Sequence, residues 1–248
     1  MNLIWILPIV FLILFCSADA RLAWILPAAF VILLVAALVG VLPLRLFTTD
    51  STVRGERVAA APGAPATLYV LVHGMAPKRD EYDILAEQLA RHGQVLHIGY
   101  AANATSNADP HRVAREIAER IDEAVRAGGA NRLVLIANSM GAPLARRALL
   151  DHRAESWATM VSRMVLLAGL SRGWDLTGEP PPDGNPVNWF GMRFLYWAGR
   201  LLGGGHLAFA LERGAPFIAD LRLDWMRWQR ELPRSSGRLV GFVPASTR

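Results

Sequence analysis

The chain is 248 residues long and 53% hydrophobic, with a mean hydropathy of +0.27. That value is high for a soluble enzyme, and the excess sits in the first 44 residues, so one sizeable domain plus an apolar appendage is expected. The net charge of +5 comes almost wholly from arginine, since Lys78 is the only lysine. Arginines dispersed through the chain without a basic block argue against nucleic acid as a partner and only weakly for an anionic membrane surface. A GC-rich coding sequence using Arg in place of Lys accounts for them equally well. Cys16 is the only cysteine, so no intrachain disulfide can form.

Residues 3–16 and 22–44 are apolar throughout, with Ser17-Ala18-Asp19-Ala20-Arg21 between them. The second run covers 23 residues, enough for a hydrocarbon core that needs about 20. Two readings fit the shorter first run. It is either the first helix of a transmembrane hairpin that turns at Asp19 and Arg21, or a signal-peptide core with Ala18-Asp19-Ala20 as its cleavage site. Met1-Asn2 supplies no Lys or Arg, and Trp5-Ile6-Leu7-Pro8 recurs as Trp24-Ile25-Leu26-Pro27; both features favour the hairpin. Residues 1–45 are therefore expected to be transmembrane and to bring the chain to a lipid bilayer, in the inner or plasma membrane of a bacterium. Arg45, Arg54 and Arg57 follow the second run against only Arg21 before it, which predicts a cytoplasmic globular domain. Residues 46–65, rich in Ala, Pro and Gly and without apolar periodicity, read as a linker.

From residue 66 the pattern changes. Residues 66–72 form an apolar-rich run, the mark of a strand buried on both faces, and end in His73-Gly74-Met75. Residues 79–92 place Tyr82, Leu85, Ala86 and Leu89 at helical spacing, and Gly93 stops them. A second strand covers 94–100. Asp109 then caps a helix that opens at Pro110 and buries Val113, Ile117, Ile121 and Val125, with Gly128-Gly129 ending it. A third strand starts at Arg132, runs through Leu133-Val134-Leu135-Ile136-Ala137 and breaks at Asn138-Ser139-Met140-Gly141, ahead of a helix over 142–150. A fourth covers 163–169. Strands alternating with helices of this length predict a parallel sheet with helices on its faces.

Ser139 stands between a buried strand and a helix, with the small residues Ala137 and Gly141 two positions to either side. That is the pattern of a nucleophile elbow, a turn tight enough to need small flanks and to hold the serine in a strained conformation with its hydroxyl exposed. With Val72-His73-Gly74-Met75 upstream and Leu167-Ala168-Gly169-Leu170-Ser171-Arg172-Gly173 downstream, residues 68–173 resemble the α/β-hydrolases, in particular lipase- and esterase-like serine hydrolases. The first small flank is usually Gly in that family and is Ala137 here. The resemblance implies an α/β fold with a mostly parallel sheet and flanking helices, and an ester or lipid-ester substrate attacked by Ser139. It implies an oxyanion hole from the backbone N–H groups of Met75 and Met140, and support from His73, Gly74 and Gly141. It implies no metal and no cofactor. Other histidines, His92, His97, His111 and His152, read as structural.

The family places a catalytic acid after its seventh strand and a histidine after its eighth. Residues 171–234 intervene here, with five of the eight tryptophans (174, 189, 197, 225 and 228), and read as a helical cap inserted in a domain over 66–248. Its stripe of Trp189, Phe190, Arg193, Phe194, Trp197, Arg200 and Leu201 fits a lid touching lipid, or equally packing against the sheet. Residues 238–243 read as a seventh strand. No Asp, Glu or His follows it, so the acid and the base are unassigned, and truncation or a frameshift near Val240 stays open as a reason; Asp175 with His206 is the one rearranged pair on offer. A different class of function, a non-catalytic membrane protein that binds a lipid or a protein through the same fold, stays open beside the hydrolase.

Overall fold

The computed structural model describes residues 53–75, 79–102, 106–175, 193, 205–231 and 239–243. The chain divides into two units, 1–46 and 47–248, and every described residue belongs to the second. The two runs expected to cross a membrane, 3–16 and 22–44, lie outside the described residues. No helix among the described residues is long and apolar enough to cross a membrane.

Among the described residues, six strands make one sheet. In chain order they are β1 (Arg54–Val58), β2 (Thr67–Val72), β3 (Gln94–Gly99), β4 (Arg132–Asn138), β5 (Val161–Leu167) and β6 (Leu239–Val243), and they lie side by side as β1-β3-β2-β4-β5-β6. Every neighbouring pair is parallel except β1 with β3. Helices among the described residues are α1 (Arg79–Ala90), α2 (Pro110–Gly128), α3 (Gly141–Asp151), the short α4 (Ser156–Thr159) and α5 (His206–Ala210), and α6 (Pro216–Glu231). The sheet is thus mixed, mostly parallel, and flanked by helices, as its buried apolar strands predict.

Side-chain alternation along each strand sends Leu68, Val70 and Val72 of β2, with Leu133, Leu135 and Ala137 of β4, to one face. There they meet Val113, Ile117 and Ile121 of α2, Leu144 and Ala148 of α3, and Phe217, Leu221 and Trp225 of α6. Tyr69 and Leu71 go to the other face and pack with Ala86, Leu85 and Leu89 of α1. Helix α2 is stopped at both ends as its sequence requires. Asp109 accepts a hydrogen bond from the backbone N–H of His111 at 3.0 Å, Pro110 opens the first turn, and Gly129 takes the left-handed conformation (φ 63°) that ends it.

The structure departs from the sequence reading in two places. Residues 54–58, inside the stretch expected to be a linker, form β1. The segment Arg-Gly-Glu-Arg-Val has no apolar alternation because it is an edge strand whose side chains are nearly all exposed, and it is recruited through backbone pairing with β3. Its charges also protect the open edge from further pairing. Within the segment expected to be a cap, α6 packs on α3 and buries Phe217, Ile218, Leu221, Trp225 and Trp228, with the two indoles edge-to-face at 5.0 Å. This part of the tryptophan-rich segment is core. Of the lid stripe, 189, 190, 194, 197, 200 and 201 lie outside the described residues.

Ile117→Ala, which empties a fully buried site on α2, is expected to lower folding stability by about 2–5 kcal/mol. Asp109→Ala, which removes only a cap, is expected to lower it by about 1 kcal/mol. Chemical denaturation of the two variants beside the parent chain checks both values.

Candidate active site

Strand β4 ends at Asn138 and α3 begins at Gly141, leaving two residues to reverse the chain. Ser139 occupies that turn at φ 46°, in the left-handed region that side chains with a Cβ rarely adopt. Such strain persists only where surrounding structure holds it, and three contacts do so here. The backbone N–H of Ser139 donates to the carbonyl of Leu167 at 2.9 Å, tying the turn to the end of β5. A Cβ on Gly141 would stand 2.5 Å from the carbonyl oxygen of His73 and 2.6 Å from that of Val72. A Cβ on Gly74 would stand 2.9 Å from the Cβ of Ser139 and 3.3 Å from the carbonyl oxygen of Asn138. The two glycines therefore let the end of β2 and the elbow touch backbone to backbone. Ala137 needs no such concession, because its methyl is fully buried in the core facing α2 and α3.

Downstream, Ala168 repeats the strain of Ser139 at the end of the neighbouring strand, with φ 45°. Gly173, at φ 78°, lies against the backbone of Glu212 and Arg213. Trp174 donates its backbone N–H to Leu211 at 3.1 Å and its indole N–H to the carbonyl of Ala208 at 2.7 Å. On the other side, Leu207 donates to the carbonyl of Ser106 and His206 to the side chain of Asn107. Helix α5 thus joins the loop after β3 to the loop after β5, both at the same end of the parallel strands as Ser139.

The peptide units around His73 are fixed on all sides. Nε2 of His73 accepts the backbone N–H of Tyr100 at 3.2 Å, so the ring proton sits on Nδ1, which donates to the carbonyl of Gly74 at 2.7 Å. That carbonyl shares a trans peptide with the N–H of Met75. Holding it against His73 therefore turns the Met75 N–H in the opposite direction, away from His73. The preceding peptide is held at its carbonyl, which accepts from the Tyr100 hydroxyl at 2.8 Å, and at the Gly74 N–H, which donates to the Tyr82 hydroxyl at 3.4 Å. Tyr100 also stacks on the His73 ring, centroids 4.5 Å apart and planes within 5°. Burial drives the His73 pKa down; its bond to Gly74 acts against this and nearby His97 adds to it. Both ring nitrogens are engaged and the ring is 3% exposed, so His73 supports the loop and is not available as a base.

On the other side of Ser139, Met140 precedes the first turn of α3, and no side chain caps that helix. Ala142 donates its N–H to the Ser139 carbonyl at 3.1 Å and Pro143 has none, so the amides of Met140 and Gly141 are the ones that the first turn leaves for another acceptor, where the partial positive charge of the helix end favours an anion. Met140, which follows Ser139 directly, is buried; Met75, which follows the Gly74 that lies against Ser139, is 38% exposed.

The remaining histidines all have other surroundings. His92 is exposed beyond α1; His97 stacks on Tyr82 at 5.3 Å; His111 lies edge-on to Phe217 at 5.0 Å. His152 Nδ1 bonds the carbonyl of Ala148 at 3.0 Å, and His206 is exposed at the start of α5. Asp175 pairs with Arg213 at 3.4 Å, and no hydrogen bond joins it to His206, so the rearranged acid–base pair is not assembled. Among the described residues nothing hydrogen-bonds the Ser139 hydroxyl. Among them, too, no group of three His, Cys, Asp or Glu side chains is placed to hold a metal. Tyr82 and Tyr100 are the site residues that the sequence reading missed. The available signal was a phenol at a position otherwise read as apolar, because a buried hydroxyl needs a partner.

Gly141→Ala is expected to destabilise the fold by about 1–3 kcal/mol, since two backbone carbonyls must move. Gly99→Ala, with nothing within 4 Å of the added methyl, is expected to stay within about 0.5 kcal/mol; denaturation midpoints separate the two. A second expectation concerns pH. His73 holds its proton less tightly folded than unfolded, so its stabilising contribution is complete above its ordinary pKa of 6.5 and is lost as pH falls through its folded value. Nitrogen NMR of the ring should show neutral imidazole with the proton on Nδ1 persisting below pH 6.5, while unfolding free energy declines over that range.

The α/β-hydrolase family model matches residues 69–246. No curated protein matches the sequence significantly. Among solved structures, a mature lipase from Bacillus licheniformis is similar at 19% identity and a TM-score of 0.45, over 70% of this chain and 68% of that one. An α/β-hydrolase from Sphaerobacter thermophilus is similar at 19% identity and 0.38, over 75% and 71%. A monoacylglycerol lipase from Paleococcus ferrophilus is similar at 16% and 0.36, over 61% and 51%. At those identities and scores the likeness does not extend to chemistry. The family match, covering well over half of the chain from within β2 to beyond β6 and including the Ser139 turn, does identify the chain: it belongs to the α/β-hydrolase family.

Proposed function

We propose that this protein is a membrane-anchored serine hydrolase that cleaves carboxylic esters through an acyl-enzyme on Ser139. The observation that carries this reading is the positive φ of Ser139 at the β4–α3 turn, held between the His73-Gly74-Met75 loop and an uncapped helix start. A left-handed serine wedged there by two glycines serves no packing need; exposing a hydroxyl beside main-chain donors is what such strain achieves. In the first step Ser139 Oγ attacks the ester carbonyl carbon as its proton passes to a base. The carbonyl oxygen becomes an oxyanion received by the N–H groups of Met75 and Met140. Collapse breaks the bond to the alcohol oxygen, which leaves with a proton. Water then attacks the acyl carbon, releases the acid and restores the Ser139 hydroxyl. Each oxyanion donor typically supplies about 3 kcal/mol of barrier lowering. The apolar runs 3–16 and 22–44 support tethering at a bilayer with the domain on the cytoplasmic side, and the proximity of lipid makes a lipid ester the natural substrate class.

One observation favours a second reading, a membrane protein that keeps the fold to bind a lipid or a protein without catalysis. Both nitrogens of His73 are engaged, and no other described histidine hydrogen-bonds Ser139. A serine with donors but no base retains only weak reactivity.

A labelled fluorophosphonate discriminates them. Covalent labelling of the full chain that disappears in Ser139→Ala is the expected result. Well-folded protein that takes no label at any pH from 6 to 9 would sink the hydrolase and leave the binding reading.

A further inference from the structure

Tyr82 lies on α1, outside both the elbow and the His73-Gly74-Met75 loop, yet its hydroxyl meets each of them. It accepts from the backbone N–H of Gly74 at 3.4 Å and from the carboxamide nitrogen of Asn138 at 3.0 Å. Asn138 immediately precedes Ser139, and Gly74 immediately precedes Met75. One oxygen atom therefore bridges the segment that carries the nucleophile to the segment that carries an oxyanion donor. Both lone pairs of that oxygen are occupied by N–H donors, so its position is defined from two directions. The ring is fixed independently, stacked on His97 of β3 at 5.3 Å with planes within 8° and edge-on to His73 at 6.2 Å.

The consequence follows from the peptide geometry. His73 and Tyr100 fix the loop relative to β3, but neither touches the elbow by hydrogen bond. The glycine contacts at Gly74 and Gly141 allow close approach without specifying a distance, because van der Waals contact is non-directional. The Tyr82 bridge supplies that direction. Rotation of the His73–Gly74 peptide would carry the Gly74 N–H off Tyr82 and swing the Met75 amide with it.

We infer that Tyr82 is a positioning residue that sets the separation between the Met75 amide and Ser139, acting through Gly74 and Asn138; the inference rests on Ser139 being the nucleophile. It aligns the oxyanion donor with the reacting carbon and does not contact the substrate. Misplacement of such a donor by a fraction of an ångström affects the transition state, in which the oxygen is charged, more than the bound ester.

The test uses the full chain with a fluorophosphonate probe and p-nitrophenyl butyrate. Tyr82→Phe keeps the ring and its stack on His97 and removes only the oxygen. Its labelling rate and kcat are expected to fall about ten- to a hundredfold at unchanged KM. Asn138→Ala should fall similarly, and the double variant should fall no further, because both remove the same bridge. Amide hydrogen exchange at Gly74 should quicken in Tyr82→Phe. A Tyr82→Phe variant that melts lower but labels at the parent rate overturns the inference, as does a double variant whose losses multiply. If the parent chain does not label at Ser139, the hydrolase reading fails instead, and Gly74 exchange alone then decides whether Tyr82 holds the loop: quickening retains the bridge, no change removes it.

Discussion

Backbone-to-backbone contact between the end of β2 and the start of α3 is the constraint on which the site depends. The position of Gly141 leaves 2.5 Å between a would-be Cβ and the carbonyl of His73, and Gly74 is nearly as close to Ser139. Any side chain at either place would push the two loops apart. Once they are together, the chain leaving β4 has no room for an ordinary turn, and Ser139 is driven to φ 46°. Leu167 completes the arrangement by accepting the Ser139 N–H, so β5 takes part in the strain, and Ala168 shares it. The elbow is thus a property of three adjacent strands and not of five residues.

Around that contact His73, Tyr100 and the Tyr82 oxygen are matched, while Nε2 of neighbouring His97 is buried with no partner among the described residues. His73 has one nitrogen as donor and one as acceptor, Tyr100 gives its N–H to the ring and its hydroxyl to the backbone, and Tyr82 receives two N–H groups. Unmatched groups at this depth would each cost about 1–3 kcal/mol. The same matching determines the chemistry of the histidine. A ring fixed as donor on one side and acceptor on the other, with its pKa held down by burial, cannot accept a proton without breaking the bond from Tyr100. Rigidity of the loop and basicity of the ring exclude one another.

The elbow helix is secured from behind as well. Arg146 of α3 is buried over the face of Trp225 of α6 at 4.3 Å, its pKa drawn down to about 10 by burial and by nearby Arg222. It remains a cation at neutral pH, compensated by the indole face in a place where a free charge would be costly. Beside it Arg147 pairs with Asp151 within α3 and reaches Asp224 of α6 at 2.8 Å. Trp225, from the segment read as a cap in the sequence, therefore braces the helix whose first turn faces the site.

Much of this was legible in the residues alone. Apolar-rich runs marked β2 to β5, most nearly unbroken in β2 and β4 at the middle of the sheet, because strands buried on both faces leave few polar positions, and Asp109, Pro110 and Gly129 marked the ends of α2 because those residues have few other conformational uses. Ser139, Gly141 and the His73-Gly74 pair were visible for the same reason: tight turns restrict residue type locally. What only the tertiary structure decided were the contacts between distant segments. β1 has no apolar signature, since an edge strand is held by its backbone. Trp225 reads as part of an inserted cap until α3 is placed beneath it. The roles of Tyr82 and Tyr100 exist only once α1 and β3 meet the loop, and their hydroxyls lie 8 and 27 residues from the groups they hold. Local conformational limits are written in sequence, so the elbow could be read from five residues. Its alignment is a matter of long-range hydrogen bonds, and those come into being only when the chain is folded.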